Sequence, residues 1–418
     1  MPVFVPRPVK RTPSWRTALL AAALGLGGAS TASADGATAP NPIRHVFVIV
    51  KENHTYDDYF GTFPGGNGAT SARNSHGRQV ALTAPSTNSH IPGDNSWDAA
   101  HLDYDRGAMD GFDRGEIAPI WLVTNGPFSS YSGTRAISYY TTLAKKGVLC
   151  DAFFTSVMGP STPNHLFLLA ATSGGAISDP SLLTGNVTVL DASGRQRSHP
   201  GSFSPSEIRT TIPNQLEAAG LTWAYYDEYS PSNVLEAQGD GVAMIQVFNT
   251  LPSFPARFVT SVGQYDRNLA WLLATGPVGN VTYIHPAVEN SDHPLFSSVA
   301  DGATWTKRVV NQIAASRFWN DCAIFITWDD YGGFYDHVAP TPFDAFGPGF
   351  RVPCLLISPY ARAGVVDHTK YELSSIVKFC ESTFHLPAMT ARDAAASDMR
   401  AAFDFSKPPR PASDFYVP

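Results

Sequence analysis

Short apolar runs recur along the chain, and longer segments with helical spacing lie between them. Apolar runs of about four to eight residues are typical of buried strands, and the segments between them predict covering helices. The predicted strands are His45 to Val50, Val148 to Phe154, Leu221 to Tyr226, Val281 to Ile284, Ala323 to Trp328 and Val352 to Ile357. The predicted helices are Thr134 to Lys146, Asn164 to Thr172, Gly302 to Ser316 and Leu373 to Phe384.

This alternation predicts an α/β fold, a three-layer α/β/α sandwich whose central sheet is mostly parallel and carries helices on both faces. Two stretches rich in Gly, Ser, Thr, Asn and Pro, Gly65 to Asn95 and Ser178 to Pro213, predict long loop excursions from that core. The sequence has neither an internal repeat nor an obvious linker. We therefore expect residues 35–418 to form a single domain.

The first 34 residues have the pattern of a secretory signal peptide. Lys10, Arg11 and Arg16 precede the apolar stretch Ala18 to Gly28, and Ala32-Ser33-Ala34 offers a small-x-small cleavage site. The apolar stretch is too short for a spanning helix, and so is every later one. We expect an exported chain, secreted or periplasmic, without an integral membrane segment after cleavage.

Charge narrows the range of partners. Residues 1–34 contain four basic residues and no acidic ones, so cleavage lowers Lys plus Arg from 29 to 25 against 36 acids, a net charge of −11. This balance argues against a nucleic acid partner and leaves no basic face for anionic membranes. The cysteines lack C-x-x-C spacing, which argues against a thiolate zinc site, although export permits one or two disulfides.

Candidate chemistry gathers where two predicted strands end. The strand Ala323 to Trp328 runs directly into Asp329 and Asp330, and the first strand leads into Glu52 and Asn53. Ligand sites in open α/β sheets lie at the carboxyl ends of the strands. Neighbouring carboxylates repel each other unless a cation holds them, and carboxylate and amide oxygens suit a hard divalent ion. We predict a metal site here, with solvated acids in a capped turn as the alternative.

The segment Gly159 to Asn164 supplies a candidate nucleophile. Thr162 is predicted to cap the next helix, with Pro163 as its first residue, because both types are common at those positions. Ser161 would then lie just outside the cap, near free N–H groups that attract phosphate and stabilise a charged transition state. A hydroxyl bound to a cation there is an activated nucleophile. The sequence lacks the G-x-S-x-G elbow of serine esterases.

Histidines are candidates for proton transfer. His101 lies in a Trp-Asp-Ala-Ala-His segment, and His293 lies in an Asp-His-Pro segment after the strand Val281 to Ile284. Imidazoles near an anionic substrate donate to its oxygens and protonate a leaving group. A single histidine is more often a surface or core residue than a catalytic one. His285 and His337 carry a weaker signal, and His337 could instead fix the neighbouring Gly-Gly turn.

Five fragments in this order resemble the secreted phosphoesterase family, which contains bacterial and plant phospholipases C and a group of bacterial acid phosphatases. Each fragment alone is unspecific, but together they are highly specific and extend from Ile43 to about Asp398. The fragments are Glu52-Asn53 with Tyr59-Phe60-Gly61, Gly159-Pro160-Ser161-Thr162-Pro163-Asn164, Asp292-His293-Pro294, Thr327-Trp328-Asp329-Asp330-Tyr331-Gly332-Gly333-Phe334-Tyr335-Asp336-His337-Val338, and Arg351-Val352-Pro353 with Ile357-Ser358-Pro359.

The resemblance implies an alkaline-phosphatase-like fold and a metal-dependent hydrolase that cleaves phosphate esters through a phosphoserine intermediate. It implies that Ser161 is the nucleophile and binds the divalent ion together with Glu52, Asn53, Asp329 and Asp330. His101 and His293 match family histidines expected around the phosphoryl group. We further predict that the substrate is lined by Asn95, Asn164, Asp292 and His337.

The chain departs from the family pattern at three positions. Many members have His where this chain has Asn95 and Arg where it has His165, and the phospholipases usually have Glu where it has Asp330. The substrate is therefore predicted only as a phosphate ester, either a phospholipid headgroup or a soluble phosphomonoester. The identity and number of the metal ions, one or two per site, stay open. Two alternatives are a non-catalytic exported binding protein on the same scaffold and a metal-independent serine hydrolase.

Overall fold

The structure is a computed structural model that describes residues 40–417 except 86–92, 115–125, 182, 202, 205, 229–252, 254–256, 261–264 and 295. The predicted signal peptide, residues 1–34, lies outside the described residues and stays a prediction.

The strands are described first because they position the site. In chain order they are β1 (His45–Lys51), β2 (Ser71–Arg73), β3 (Gln79–Ala81), β4 (Val148–Cys150), β5 (Phe153–Phe154), β6 (Asn186–Leu190), β7 (Gln196–Pro200), β8 (Trp223–Asp227), β9 (Phe258–Thr260), β10 (Val281–His285), β11 (Cys322–Trp328), β12 (Cys354–Ile357), β13 (Val365–Asp367) and β14 (Tyr371–Glu372).

Eight strands form the central sheet, in the spatial order β13-β4-β12-β11-β1-β10-β8-β9. β1 lies in the middle and pairs in parallel with β11 and β10, and the parallel pairing continues through β8 to β9. β12 runs antiparallel to both β11 and β4. The prediction of a mostly parallel sheet is therefore confirmed. The reversed strand escaped prediction because a short apolar run has the same pattern in either chain direction.

Helices cover the sheet in two groups. They are α1 (Tyr56–Phe60), α2 (Trp97–Tyr104), α3 (Ser138–Lys146), α4 (Ser161–Ala170), α5 (Ile212–Ala218), α6 (Tyr265–Ala274), α7 (Val299–Ala314), α8 (Leu373–Phe384) and α9 (Ala391–Ala395). In one group α3 and α6 pack against α7, and in the other α4 and α5 pack against α8. This arrangement confirms the predicted three-layer α/β/α sandwich. No helix within the described ranges is both long and apolar enough to cross a membrane.

Several predicted boundaries differ from the structure. The predicted strand Val148 to Phe154 is divided into β4 and β5, and β5 pairs with β14 outside the central sheet. The predicted excursions Gly65 to Asn95 and Ser178 to Pro213 contain the hairpins β2–β3 and β6–β7. The helix predicted to begin at Gly302 begins at Val299, because the side chain of Ser298 accepts a hydrogen bond from Asp301 N and caps it earlier.

The parallel pairing of β1 with β11 places two polar turns at one edge of the sheet. Every residue of β11 is buried, as are all residues of β1 after His45, which is typical of a strand covered on both faces. Lys51 is in register with Trp328, and the N–H of Asp329 donates a 3.0 Å hydrogen bond to Lys51 O. The residues that follow each strand therefore emerge side by side.

All four cysteines are buried free thiols. Cys150 and Cys354 lie directly opposite each other on the antiparallel strands β4 and β12. The cysteines of this structure thus belong to the core, and the disulfides that export would permit are not formed in it.

Candidate metal and catalytic centre

The nucleophile candidate occupies the first position of a buried helix. Pro160 is the N-cap of α4, and Ser161 is its first residue. The prediction that Thr162 caps the helix with Pro163 as first residue is wrong, because the helix starts two residues earlier. The N–H of Thr162 is held by Asp179 Oδ1 at 2.8 Å, and Pro163 has no N–H. The first turn therefore offers fewer N–H groups to an anion than the sequence suggested.

Ser161 lies among the carboxylates that end β1 and β11. Its hydroxyl is 2.9 Å from Asp330 Oδ2 and 3.4 Å from Glu52 Oε2, in geometry that allows it to donate to either oxygen. The same Asp330 oxygen accepts from Asn95 Nδ2 at 2.9 Å and from Asn53 Nδ2 at 3.4 Å. The structure thus brings together residues from β1, β11, α4 and the segment before α2.

Burial favours the protonated form of the Asp330 carboxyl. Burial raises the pKa of Asp330 to about 8, and the negative charge of Glu52 adds to the rise. The hydrogen bonds from Asn95, Gly332 N and Ser161 oppose it. A carboxylate in this position gains strongly from a neighbouring cation, which would favour its ionised form.

Asn53 adds a polar atom that fits a bound cation. The residue has a left-handed backbone, with φ of 59°, and its N–H donates to Asp329 Oδ1 at 3.2 Å. Its Oδ1 is buried and has no hydrogen-bond partner among the described residues. A buried oxygen without a partner beside three carboxylates is the donor set that a hard divalent ion requires. Glu52, Asn53, Ser161, Asp329 and Asp330 therefore fit a metal ion.

The Gly-Gly turn after Asp330 is required by close packing. Gly332 has φ of +63°, and a Cβ added there would lie 2.3 Å from Asn53 O. Its N–H donates a 2.7 Å hydrogen bond to Asp330 Oδ1. The glycine lets the two strand-end turns touch, which brings Asn53 to Asp330.

Two histidines beside Glu52 form a part of the centre that the sequence indicated only weakly. Nε2 of His165 and Nε2 of His285 each lie 3.3 Å from Glu52 Oε1. The hydrogen bonds and charges of both imidazoles hold the pKa of Glu52 well below its usual value despite burial. Hydrogen bonds and charges from Asp227 and Glu52 raise the pKa of His285, again against burial. The available signals were that His165 follows Ser161 by one helical turn and that His285 ends β10.

His101 and His293 occupy different surroundings. His293 is partly buried and its ring centroid lies 4.8 Å from that of Phe296. Burial lowers the pKa of His293, and the charge of the Glu52 carboxylate opposes this shift. His101 is exposed on α2, and its Nδ1 lies 2.7 Å from Trp97 O. The first residue of α2, Trp97, packs close to Gly159, just before Ser161.

The side chain of Asn164 contacts backbone atoms of the loop before Ser161, and its predicted place in the substrate lining stays a prediction. Its Oδ1 accepts from the N–H groups of Ser156 and Val157 at 3.1 and 2.8 Å. Its Nδ2 faces the carbonyls of Val157, Gly159 and Pro160 at 3.1–3.3 Å. The fully buried amide therefore holds the loop that leads into Ser161, and its role is positioning.

Asp292 is likewise buried, and its carboxylate contacts other buried side chains. Its Oδ1 lies 3.3 Å from Nζ of Lys51, and both side chains are fully buried. Its Oδ2 accepts hydrogen bonds at 2.9–3.2 Å from Tyr59, Tyr140 and Trp328. This carboxylate balances a buried lysine that directly precedes Glu52, and its predicted contact with substrate stays a prediction.

His337 belongs to a separate polar cluster. Its Nδ1 lies 2.7 Å from Asp57 Oδ2, and its Nε2 lies 3.2 Å from Asn67 Oδ1. Arg351 binds both Asp57 and Asp336 in the same cluster. This agrees with the alternative interpretation of His337 as a residue that fixes the turn.

The chain is similar in sequence to several phospholipases C. It is 25% identical to phospholipase C B of Mycobacterium tuberculosis, over 88% of this chain and 79% of that protein. It is 25% identical to a non-hemolytic phospholipase C of Pseudomonas aeruginosa, over 88% of this chain and 58% of that protein. It is 26% identical to non-specific phospholipase C5 of Arabidopsis thaliana, over 88% and 75% of the two chains.

Solved structures to which the chain is similar include an alkaline phosphatase superfamily protein of Vibrio parahaemolyticus. It is 12% identical to this chain, with a TM-score of 0.39 over 87% of this chain and 73% of that one. Murine ectonucleotide pyrophosphatase/phosphodiesterase 5 is also 12% identical, with a TM-score of 0.39 over 64% and 94% of the two chains.

The family profile covers most of the chain and includes every residue of the centre described above. The profile of the Phosphoesterase family matches residues 43–387, which confirms the resemblance carried by the five sequence fragments. The chain therefore belongs to the Phosphoesterase family and is a hydrolase that acts on phosphoric ester bonds.

Proposed function

We propose that this protein is an exported, metal-dependent phosphoesterase of the phospholipase C type, in which Ser161 attacks phosphorus and forms a phosphoserine intermediate. The observation that carries the proposal is the contact of the Ser161 hydroxyl with Asp330 Oδ2 at 2.9 Å and with Glu52 Oε2 at 3.4 Å. A hydroxyl held among carboxylates at a helix start can be activated as a nucleophile.

The side chains around Ser161 have different roles in the proposed reaction. Asp330 Oδ2 and Glu52 Oε2 are the nearest acceptors for the hydrogen of the Ser161 hydroxyl. A divalent ion held by Glu52, Asn53, Asp329 and Asp330 would lower the pKa of that hydroxyl and offset charge on the phosphoryl oxygens. Asn53 and Asn95 fix the orientation of Asp330 through their amide groups.

Proton transfer to the leaving group is assigned to His293. Burial lowers the pKa of this imidazole, so its protonated form gives up its proton readily to a departing oxygen. His101 is the second candidate, because α2 begins beside the segment that leads into Ser161. With a phospholipid, the attack expels the diacylglycerol oxygen and leaves the headgroup phosphate esterified to Ser161, and water then releases the phosphorylated headgroup and restores the hydroxyl. With a monoester, the intermediate is phosphoserine itself, and water releases inorganic phosphate.

The named relatives favour a phospholipase C reaction, which releases a phosphorylated headgroup. A phosphatase reaction on a monoester would use the same nucleophile and release inorganic phosphate. Export rests on the sequence pattern of residues 1–34, and the net charge of −11 after cleavage argues against nucleic acid as a substrate.

A parallel assay tests the proposal. The purified protein is incubated with phosphatidylcholine and with an aryl phosphomonoester, each with and without a chelator. We expect headgroup release from the phospholipid that exceeds monoester cleavage, stops with the chelator and returns with added divalent ion. A monoester preference would assign the phosphatase reaction instead. Activity that survives chelation would favour a metal-independent serine hydrolase, and no turnover of either substrate would favour a binding protein.

A serine pair provides the matched control. Ser161→Ala should abolish turnover, since the hydroxyl that contacts both acids is removed. Ser138→Ala, at the exposed start of α3, should retain it. Near-normal activity of Ser161→Ala would overturn the assignment of the nucleophile.

A further inference from the structure

We propose that Glu52, His165 and His285 bind a second divalent metal ion, zinc by their chemistry, next to the ion assigned to Ser161 and its carboxylates. The proposal rests on the proposed function in that it gives the same phosphoesterase centre two ions that share Glu52. Each of the three residues offers one ligand atom, and these atoms all lie within 4.8 Å of one another.

The distances fit a metal better than they fit hydrogen bonds. Glu52 Oε1 is 3.3 Å from Nε2 of His165 and 3.3 Å from Nε2 of His285. Zinc holds oxygen and nitrogen ligands at about 2.0–2.1 Å, so two tetrahedral ligands lie about 3.4 Å apart. A charge-assisted N–H···O bond is normally about 2.7–2.9 Å long. Two imidazoles that point one nitrogen each at the same oxygen, at this spacing, leave room for an ion between them.

The three proposed ligands are buried, and their position beside Ser161 supports a metal site. The side chains of Glu52, His165 and His285 are 6%, 2% and 8% exposed. A small cavity borders both imidazoles. His165 lies four residues after Ser161 on α4, so the same face of one helix presents the nucleophile to one oxygen of Glu52 and an imidazole to the other.

An outer carboxylate completes the arrangement. Asp227 ends β8 in register with His285 at the end of β10, and its Oδ1 lies 3.5 Å from Nδ1 of His285. A carboxylate on the far nitrogen of a metal-binding histidine fixes the ring and directs the other nitrogen to the metal. His285 therefore has a carboxylate on each side, with Nε2 directed to Glu52.

The two oxygens of Glu52 face different partners, which makes this residue the bridge. Oε2 lies toward Ser161 at 3.4 Å, and Oε1 lies toward the two histidines. Two ions bridged in this way are separated by about 3.5–4 Å in phosphate-cleaving enzymes and stabilise the attacking and leaving oxygens together. The chemistry of the donors differs, because the oxygen-rich side suits a hard cation and the imidazole side suits zinc.

In a second cluster within the described part of the chain, an arginine already pairs with the carboxylates that could otherwise bind a metal ion. Asp57, Asp336 and His337 also lie within reach of one another. There, however, the Arg351 guanidinium lies 3.2 Å from Asp57 Oδ1 and 2.8 Å from Asp336 Oδ1. That positive charge already satisfies the two carboxylates, so we assign no metal to it.

Zinc content tests the proposal directly. The full-length protein is stripped with a chelator, saturated with Zn²⁺, freed of excess ion and measured for zinc per chain. The double variant His165→Gln/His285→Gln should hold one zinc fewer than the wild type. Asp330→Asn should keep the zinc at the histidines. His368→Gln, a substitution of a mostly exposed histidine, should match the wild type. Equal zinc content in the double variant and the wild type would overturn the second site.

Anomalous diffraction above the zinc edge removes any dependence on how the variants fold. In crystals of the zinc-saturated wild type we expect a peak within about 2.0–2.2 Å of Glu52 Oε1 and of both Nε2 atoms. A map without that peak overturns the proposal. If Ser161→Ala is inactive and the peak is missing, the second site alone fails. If Ser161→Ala is active and the peak is present, the proposed nucleophile alone fails.

Discussion

The hydroxyl of Ser161 lies 2.9 Å from Oδ2 of Asp330, although the two residues are 169 positions apart in the sequence. Ser161 is fixed by the start of α4, and Asp330 is fixed by the end of β11 and by the N–H of Gly332. Because rigid elements hold both groups, the contact is organised before any substrate arrives.

Metal affinity should depend on the protonation of Asp330. Burial raises the pKa of this carboxyl to about 8, and a ligand must lose its proton to bind. Affinity of the metal-free protein for Mn²⁺ should therefore rise as the pH increases toward about 8. Asp330→Asn should weaken binding by at least about tenfold and reduce this rise. Isothermal titration at several pH values measures both effects.

The matched control for that experiment is Glu289→Gln, which removes an exposed carboxylate. It should bind Mn²⁺ as the wild type does. An Asp330→Asn protein with unchanged affinity and an unchanged pH dependence would show that the ion is not held at this strand end.

Asn164→Ala should destabilise the fold more than an ordinary surface substitution. The variant leaves two buried N–H groups and up to three carbonyls in the loop before Ser161 without their side-chain partner. The loss should be about 2–3 kcal/mol in the free energy of unfolding, measured by urea denaturation. Asn186→Ala, whose amide meets Ser198 on the exposed β6–β7 hairpin, should lose only a fraction of that. Equal losses would contradict the positioning role.

Asp292→Asn should act through stability rather than through substrate binding. The change leaves Lys51 buried opposite a neutral partner, and breaking a buried ion pair on one side costs about 3–5 kcal/mol. The double variant Lys51→Met/Asp292→Asn should recover part of this loss, as measured by urea denaturation. Asp404→Asn, at an exposed pair with Lys407, serves as the control and should leave the unfolding midpoint nearly unchanged. A raised KM with wild-type stability would restore the substrate-lining role.

Asp103 should make stability depend on pH. Burial raises the pKa of Asp103 to about 7, against about 3.9 in the unfolded chain. Between these values the folded state keeps a proton that the unfolded state has lost, so the free energy of unfolding falls as the pH rises through this window. Asp103→Asn removes the titrating carboxyl but can still accept from Tyr331, which donates to Asp103 Oδ2 at 2.9 Å.

The variant should therefore gain stability over the wild type, on the order of 4 kcal/mol more at about pH 8 than at about pH 4. Urea denaturation at the two pH values measures this gain. Asp98→Asn changes an exposed residue of the same helix. Its free energy of unfolding should differ from that of the wild type by the same small amount at both pH values. A gain of Asp103→Asn that does not change with pH would contradict the account.

The sequence predicted the sheet and the acids of the centre because these depend on local pattern. Continuous apolar runs identified β1 and β11, and the acids that follow them had to emerge at one edge once the strands were parallel. The helix start at Ser161 was misplaced, because capping preferences are statistical and the actual N-cap, Pro160, lacks a capping side chain.

The sequence could not separate lining residues from supporting ones. Asn164 and Asp292 lie in the same motifs as the reactive groups, yet their partners are backbone atoms of residues 156–160 in one case and a lysine 241 positions away in the other. The pairing of His165 and His285 with Glu52 depends on how α4 packs beside β10, and no short pattern records that contact.

Trapping the phosphorylated enzyme tests the central claim most directly. The protein is mixed with substrate, quenched in acid within the first turnover and digested, and the peptides are sequenced by mass spectrometry. We expect Ser161 to carry the headgroup phosphate when the substrate is phosphatidylcholine and one phosphoryl group when it is an aryl phosphomonoester, with no modified peptide from Ser161→Ala or from the chelated enzyme. A phosphoryl group on Thr162 or another residue, or full turnover by Ser161→Ala, would contradict the account.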